Sequence, residues 1–275
     1  MTYGARSTRA VLPLHGSCKQ PVLLGRGSIS GVRRSPAAQS SQLRCLGAVC
    51  TILAAGLAAP AQAEVAASLA IESDYQLRGV SLSDGQPVVS LTVAYDHENG
   101  VYGDVAAIGV ATRSSGVETL GYVAHLGYAR RLPSGLSLDV GVRSSRVSAF
   151  LARRVPYEYT ETYVGLSKGD LSAHIYFAPD YIGDEGPTAY LDLAGALRPA
   201  RHWRVFGHVG VLAPLSKGKR LDERRAQLDL RAGAAREFGN LELHVAYTAT
   251  DRTPHYPRRL RNRRDALTLG AVYYF

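Results

Sequence analysis

Cysteine is missing from most of this 275-residue chain: all three, Cys18, Cys45 and Cys50, lie near the N-terminus. Beyond residue 50 there is thus no disulfide framework, no thiol catalysis and no cysteine-based zinc site. Acidic residues are missing from the N-terminal part, where no Asp or Glu precedes Glu64 although seven of the 32 Lys and Arg residues do. The formal charge of +9 therefore belongs mostly to the first 63 residues. Beyond them 25 basic groups face 23 acidic ones, too even a balance for a nucleic-acid-binding surface. Also missing is an apolar run long enough to cross a bilayer as a helix, which takes about 20 residues. The uncharged stretch Cys45 to Ala59 follows Arg44 and precedes Ala61-Gln62-Ala63. A short apolar run between a basic flank and a small-x-small tripeptide has the form of a cleavable secretory signal. Residues 1–63 are expected to be an N-terminal extension and signal peptide, and 64–275 the mature domain.

What the mature part does have is alternation with period two. Val65, Ala67, Leu69, Ile71, Tyr75 and Leu77 share one face of the first segment, opposite Ser68, Glu72, Asp74, Gln76 and Arg78. That spacing predicts a strand with one apolar and one wet face. It returns at Val89–Tyr95, Leu120–Tyr128, Leu136–Val142, Thr160–Leu166, Leu171–Phe177, Ala189–Leu193, Trp203–Val211, Leu241–Tyr247 and Leu267–Phe275. Residues 101–110 are apolar or small on both faces, and 223–237 carry Ala, Arg and Glu in helix-friendly proportions. Both are expected to be strands, the second because Leu228, Leu230 and Ala232 oppose Gln227, Asp229 and Arg231, which brings the total to twelve.

The connections alternate too. Tight ones fall at Asn99-Gly100, Pro133-Ser134-Gly135, Lys168-Gly169-Asp170, Arg198–His202 and Phe238-Gly239-Asn240, with Asn-Gly read as a type I′ turn. Longer ones fall between them, at 79–87, 111–117, 146–156, 179–187, 213–224 and 251–264. Short turns at one end and loops at the other are the habit of outer-membrane barrels. The outward faces carry no charge in the clear strands and would expose too much apolar surface for a soluble monomer. The other faces look too polar for a dry core. A closed barrel in lipid satisfies both, because closure pairs every backbone group. Tyr95, Tyr128, Trp203, Tyr247 and Tyr273 are expected at the turn-side interface, and Tyr75 and Tyr122 at the loop side. The expected fold is an all-β, antiparallel up-and-down transmembrane barrel of about twelve strands.

Ser73-Asp74-Tyr75, Arg78-Gly79, Ser81, Ser83-Asp84-Gly85 and Pro87 resemble the opening signature of the TorF-type porin family (Gcw_chp). The resemblance continues through Tyr95, His97, Gly100, Tyr102 and Asp139-Val140-Gly141. It is strongest at Tyr159-Thr160-Glu161, Tyr163, Gly165, Pro179-Asp180-Tyr181, Gly183 and Tyr190-Leu191, and weakens after about residue 200. It implies a porin-type barrel in the outer membrane of a Gram-negative bacterium. The terminal Phe275, with Tyr273 and Leu269 on its face, looks like the signal read by the barrel-assembly machinery.

Chemical motifs are few. Gly165-Leu166-Ser167-Lys168-Gly169 has the spacing of a hydrolase elbow but sits where a hairpin is expected, not a strand-turn-helix. There is no His-Glu-x-x-His, phosphate loop or Ca²⁺ loop, so no metal, cofactor or catalytic residue is expected. The candidates for the lumen are Glu72, Asp74, Arg78, Asp96, Asp139, Arg143, Glu161, Asp192, Asp229 and Arg231. Arg78, Arg143 and Arg231 are expected to reach toward wall carboxylates and narrow a water-filled bore. A second set, Arg224, Arg225, Arg258, Arg259, Arg261, Arg263 and Arg264, falls in loops and suits a pore mouth or lipopolysaccharide phosphates. The function expected is passive diffusion of ions or small hydrophilic solutes, with a lipid- or peptide-hydrolysing barrel enzyme and a plugged structural or adhesive barrel as alternatives.

Overall fold

The computed structural model describes residues 63–113, 116–148, 156–182, 186–216, 226–251 and 264–275. The expected leader up to Gln62 and six of the seven loop arginines, all but Arg264, lie outside the described residues.

Twelve strands close into one antiparallel barrel. In chain order they are β1 (Ala63–Glu72), β4 (Val88–His97), β5 (Val101–Thr112), β6 (Gly116–Arg131), β7 (Ser137–Ser148), β8 (Pro156–Lys168), β9 (Leu171–Ala178), β10 (Thr188–Ala200), β11 (Trp203–Pro214), β12 (Gln227–Phe238), β13 (Leu241–Thr250) and β14 (Asp265–Tyr274). Each pairs with its neighbours in the chain, and β1 closes the ring against β14, Leu69 opposite Tyr273 and Ile71 opposite Ala271. Two further short strands, β2 (Gln76–Leu77) and β3 (Val80–Ser81), pair only with each other. Both ambiguous segments are strands of the wall, 101–110 within β5 and 223–237 from Gln227 onward, residues 223–225 lying outside those described.

The turns obey their residues. Lys168 faces Leu171 across a two-residue turn whose first member, Gly169, has φ 60°, the sign a type II′ turn needs. The Asn99-Gly100 connection is not the expected type I′ turn. β4 ends at His97 and β5 begins at Val101, which leaves a three-residue connection, and only Gly100 takes a positive φ, 98°. The Asn99 side chain accepts instead from the Val101 amide.

The outward faces follow the alternation, with Leu91, Val93, Val105, Leu126, Ile175, Val209 and Leu269 all exposed. Leu120 departs from it. Ile108 pairs with Gly121 and Gly109 with Thr119, so Leu120 is the extra residue of a β-bulge and turns inward, 3% exposed. Tyr247 stands three residues from the loop end of β13 and its hydroxyl donates to Asp265, so it belongs to the loop side, not the turn side. With Tyr122 and Phe177 it forms the loop-side aromatic set, opposite Tyr95, Tyr128, Trp203, Phe238 and Tyr273.

The largest departure comes after β1. The strand was expected to run to Arg78, because Tyr75/Leu77 and Asp74/Gln76/Arg78 continue its alternation. Instead the chain leaves the wall at Ser73, which donates its amide to Leu269 and accepts from the Leu269 amide on Oγ. Residues 74–83 then fold into the barrel as the β2–β3 ribbon, all of them buried. Tyr75 therefore lies inside the barrel and forms no part of the lipid interface.

Candidate functional site

The ribbon has its own scaffold, centred on Asp74. Its Oδ1 accepts from Ser81 Oγ at 2.6 Å, Ser83 Oγ at 2.7 Å and the Gly85 amide at 3.1 Å, while Gln76 Nε2 donates to Oδ2. Ser83 Oγ also accepts from the Tyr75 amide, and the Leu82 amide donates to the Tyr75 carbonyl. Two turns complete it. Arg78 and Gly79 take φ 48° and 79° between the paired Leu77 and Val80, and Asp84 and Gly85 take 56° and 71°. Positive φ at both central residues is the mark of a type I′ turn. At the tip only glycine fits: a Cβ on Gly79 would stand 2.8 Å from Thr250 Cβ and 3.0 Å from Asp229 Cβ, on the wall strands β13 and β12.

The ribbon crosses the lumen. From β1 its tip reaches β8, on the far side of the ring, where Arg78 Nη2 donates to Glu161 Oε1 at 2.5 Å. Both side chains are 1% exposed. Gln227 Nε2 donates to the Arg78 carbonyl at 3.0 Å, and Arg143 Nη1 stands 3.6 Å from Glu161 Oε2. Three tyrosines surround the Arg78 guanidinium, whose Cζ lies 4.0 Å from the ring centre of Tyr190, 5.0 Å from Tyr181 and 5.8 Å from Tyr159. Tyr190 lies against the wall because Gly210 offers no side chain beneath it, and its hydroxyl donates to Asp229 at 3.2 Å.

Around this tip the lumen is apolar. Leu77, Val80 and Leu82 of the ribbon pack with inward Val88, Ile108, Val110, Val123, Val147, Tyr176 and Leu212 in one buried cluster. The expectation of polar inner faces thus holds only in part for the loop half of the barrel, where inward Val, Ile and Leu pack around the buried Arg78–Glu161 pair. The ribbon supplies the partner that lets inward Val and Leu form a core.

Charge lines the interior beside the tip and through the turn half. Tyr102 donates to Asp139 at 2.5 Å and meets the Tyr163 hydroxyl at 2.5 Å, with His174 Nε2 3.2 Å from the other Asp139 oxygen. His125 Nδ1 lies 3.0 Å from Asp104. His208 bridges Asp192 at 2.9 Å and Asp229 at 2.8 Å. Arg204 Nη2 donates to both oxygens of Glu242, at 2.8 and 2.9 Å, and Glu72 stands 3.4 Å from His244 and 3.9 Å from Arg231. Several arginine nitrogens here and at the tip, Arg78 Nε and Nη1, Arg143 Nε and Nη2 and Arg204 Nη1, are buried without a protein hydrogen-bond partner.

All ten lumen candidates therefore face the interior, in two different settings. Asp74 and Arg78 sit on the ribbon and not on the first strand. Glu161, Arg143 and Asp229 meet it or lie beside it. Asp96 and Asp139 belong to the wall near the turn ends of their strands, whereas Asp192, Glu72 and Arg231 lie in the loop-side halves of theirs. Arg264 is exposed at the loop end of β14. The residues that sequence reasoning missed are the cage tyrosines and Gln227. A signal for the tyrosines was present, since Tyr159, Tyr163, Tyr176 and Tyr190 all fall on the wet face of their strands. The hydrolase-like Gly165–Gly169 run is a wall strand and its hairpin, with the His174 ring packed over Gly165.

A closed twelve-stranded barrel with an apolar exterior and a charged interior defines the chain as a β-barrel of the outer-membrane porin type. Its sequence places it in a family: residues 55–270 match the bacterial proteins of unknown function designated Gcw_chp, and the chain belongs to that family. No curated protein sequence matches it. Among solved structures it is similar to the NanC porin, at 10% identity and a TM-score of 0.50, covering 77% of this chain and all of that one. The KdgM porin follows at 11% identity and 0.49, covering 76% of this chain and 99% of that one. At such identities the likeness is one of fold.

Proposed function

We propose that the protein is a narrow, porin-like channel of the Gram-negative outer membrane, through which ions or small hydrophilic solutes diffuse passively. The observation that supports this most is the pairing of two surfaces. The exterior is a band of exposed Leu, Val and Ile between two aromatic sets, and the interior carries buried arginines, histidines and carboxylates. Carboxylates outnumber guanidiniums inside. Glu161 and Glu242 pair with arginine, whereas Asp104, Asp139 and Asp192 meet histidine or tyrosine. Such a wall favours cations.

The ribbon narrows the path at the loop end, which also supports a second reading, a structural barrel kept shut. Conductance in planar bilayers separates the two. A channel gives small, cation-preferring steps that grow when residues 74–86 are replaced by a short Gly-Ser link. A structural barrel gives none in the native form. The same protein, assayed for lipase, deacylase and protease turnover, is expected to be inactive; turnover abolished by one wall substitution would make it an enzyme. The exposed Phe275, edge-on to Tyr273 at 5.1 Å between ring centres, is the group we assign to recognition by the barrel-assembly machinery. The loop arginines Arg224, Arg225, Arg258, Arg259, Arg261, Arg263 and Arg264 are assigned to lipopolysaccharide phosphates or the channel mouth. Neutralising Arg258–Arg264 should strengthen cation preference if they line the mouth and leave it unchanged if they hold lipid.

A further inference from the structure

The Arg78 guanidinium lies in a setting that a ligand would occupy. It is enclosed by the faces of Tyr159, Tyr181 and Tyr190, meets the carboxylate of Glu161, and is 1% exposed. A flat, delocalised cation between aromatic faces with a carboxylate at its edge is how proteins bind guanidinium compounds. Yet the fit of Arg78 is incomplete. Only Nη2 reaches Glu161, while Nε and Nη1 are buried with no hydrogen-bond partner and Glu161 Oε2 accepts none. The two-bond fork that arginine makes with a carboxylate is therefore not formed. The cause is the tether, because the side chain starts from a turn residue held at φ 48°, whose carbonyl is pinned by Gln227. A guanidinium free of that backbone can rotate in the cage and close the fork on both oxygens of Glu161.

We propose that the cage of Tyr159, Tyr181, Tyr190 and Glu161 is a binding site for small guanidinium-bearing solutes, and that Arg78 occupies it as a tethered stand-in. The tether holds Arg78 at a high local concentration, so a free solute competes weakly in the native protein and strongly once Arg78 is removed. Binding stands on the cage geometry alone. That such a solute is cargo rests on the channel reading above.

The variant that tests this is Arg78→Asn, because asparagine tolerates positive φ and keeps the ribbon turn. The folded protein in detergent is heated with methylguanidinium or with methylammonium at equal millimolar concentration, and the temperature at which the compact gel band is lost is recorded. Arg78→Asn should lose its compact form at a lower temperature than the native chain. Methylguanidinium should restore much of that shift, binding about tenfold tighter than methylammonium. Adding Glu161→Gln should remove the restoration. Equal action of the two cations, or none on a folded variant, overturns the proposal. Should Arg78→Asn fail to fold, Arg78→Gly carries the same test, since glycine takes the positive φ and leaves the cage without a tethered cation; failure of methylguanidinium to stabilise it likewise overturns the site. Conductance of the same samples is read separately: binding without conductance leaves the site and removes the channel, and conductance without binding does the reverse.

Discussion

The two halves of the lumen are built on opposite principles. In the loop half, inward Val, Ile, Leu and Tyr pack on Leu77, Val80 and Leu82 of the ribbon and exclude water as a soluble protein core does. In the turn half, the same alternation presents Asp139 with His174, Asp104 with His125 and Arg204 with Glu242. The strands are continuous through both, so the difference is not one of backbone. It arises because one connection, 73–87, turns into the barrel and gives the inner wall something to bury against. In this barrel an apolar inner surface forms where the ribbon fills the lumen, with the buried Arg78–Glu161 pair set into it.

That contrast can be broken most severely by removing the filler. Replacing residues 74–86 with a short Gly-Ser link should raise conductance several-fold and expose the apolar inner surface, which dye binding would report. Glu161→Gln comes next, because it strips the charge partner from Arg78 and weakens the hold on Arg143. Loss of one member of a buried ion pair costs about 3–5 kcal/mol, and the temperature at which the compact band is lost should fall accordingly. Leu82→Ala leaves a cavity in the loop-half cluster and should cost roughly 2–5 kcal/mol at the low end of that range, since the ribbon can settle against the wall. Asp96→Asn, on the half-buried wall below, should change stability by less than about 0.5 kcal/mol and act instead on the reversal potential, making it less cation-preferring. If Asp96→Asn destabilised as strongly as Glu161→Gln, the two halves would not differ in kind.

The wall was readable from the sequence because period two is a purely local signal, and one residue decides the face of the next. Ten of the lumen residues were named on that basis and all point inward. What local pattern does not carry is where a chain leaves the sheet. Asp74, Gln76 and Arg78 continue the alternation of β1 faithfully, because the ribbon they enter is also β-structured. The departure is written in the dipeptides Arg78-Gly79 and Asp84-Gly85, which supply turns, and in Ser81 and Ser83, whose hydroxyls serve Asp74. Those residues belong to the opening signature of the family resemblance, and Tyr159, Glu161, Tyr181 and Tyr190 to the stretch where it is strongest. The last four come together around one guanidinium. Leu120 was misplaced for a related reason, since a bulge inserts one residue into the count and nothing in the flanking sequence announces it.

The position of the ribbon in the chain bears on the order in which the molecule is assembled. It follows β1 directly, and β1 is the strand that seals the ring. Ten residue pairs join β1 to β4, but only five join it to β14, from Ser68 opposite Tyr274 to Glu72 opposite Gly270. The tip's resting places, on β8, β12 and β13, are all synthesised later than the ribbon and are brought within reach only when the sheet curls shut. Until then the cluster that buries Leu77, Val80 and Leu82 lacks the cover of the later strands, Tyr190 and Leu212 among it. Their burial, worth about 1.5–3 kcal/mol each when complete, is completed at the moment of sealing. The short seam is thus bolted from within, by a segment that can engage only after its own strand has found the last one.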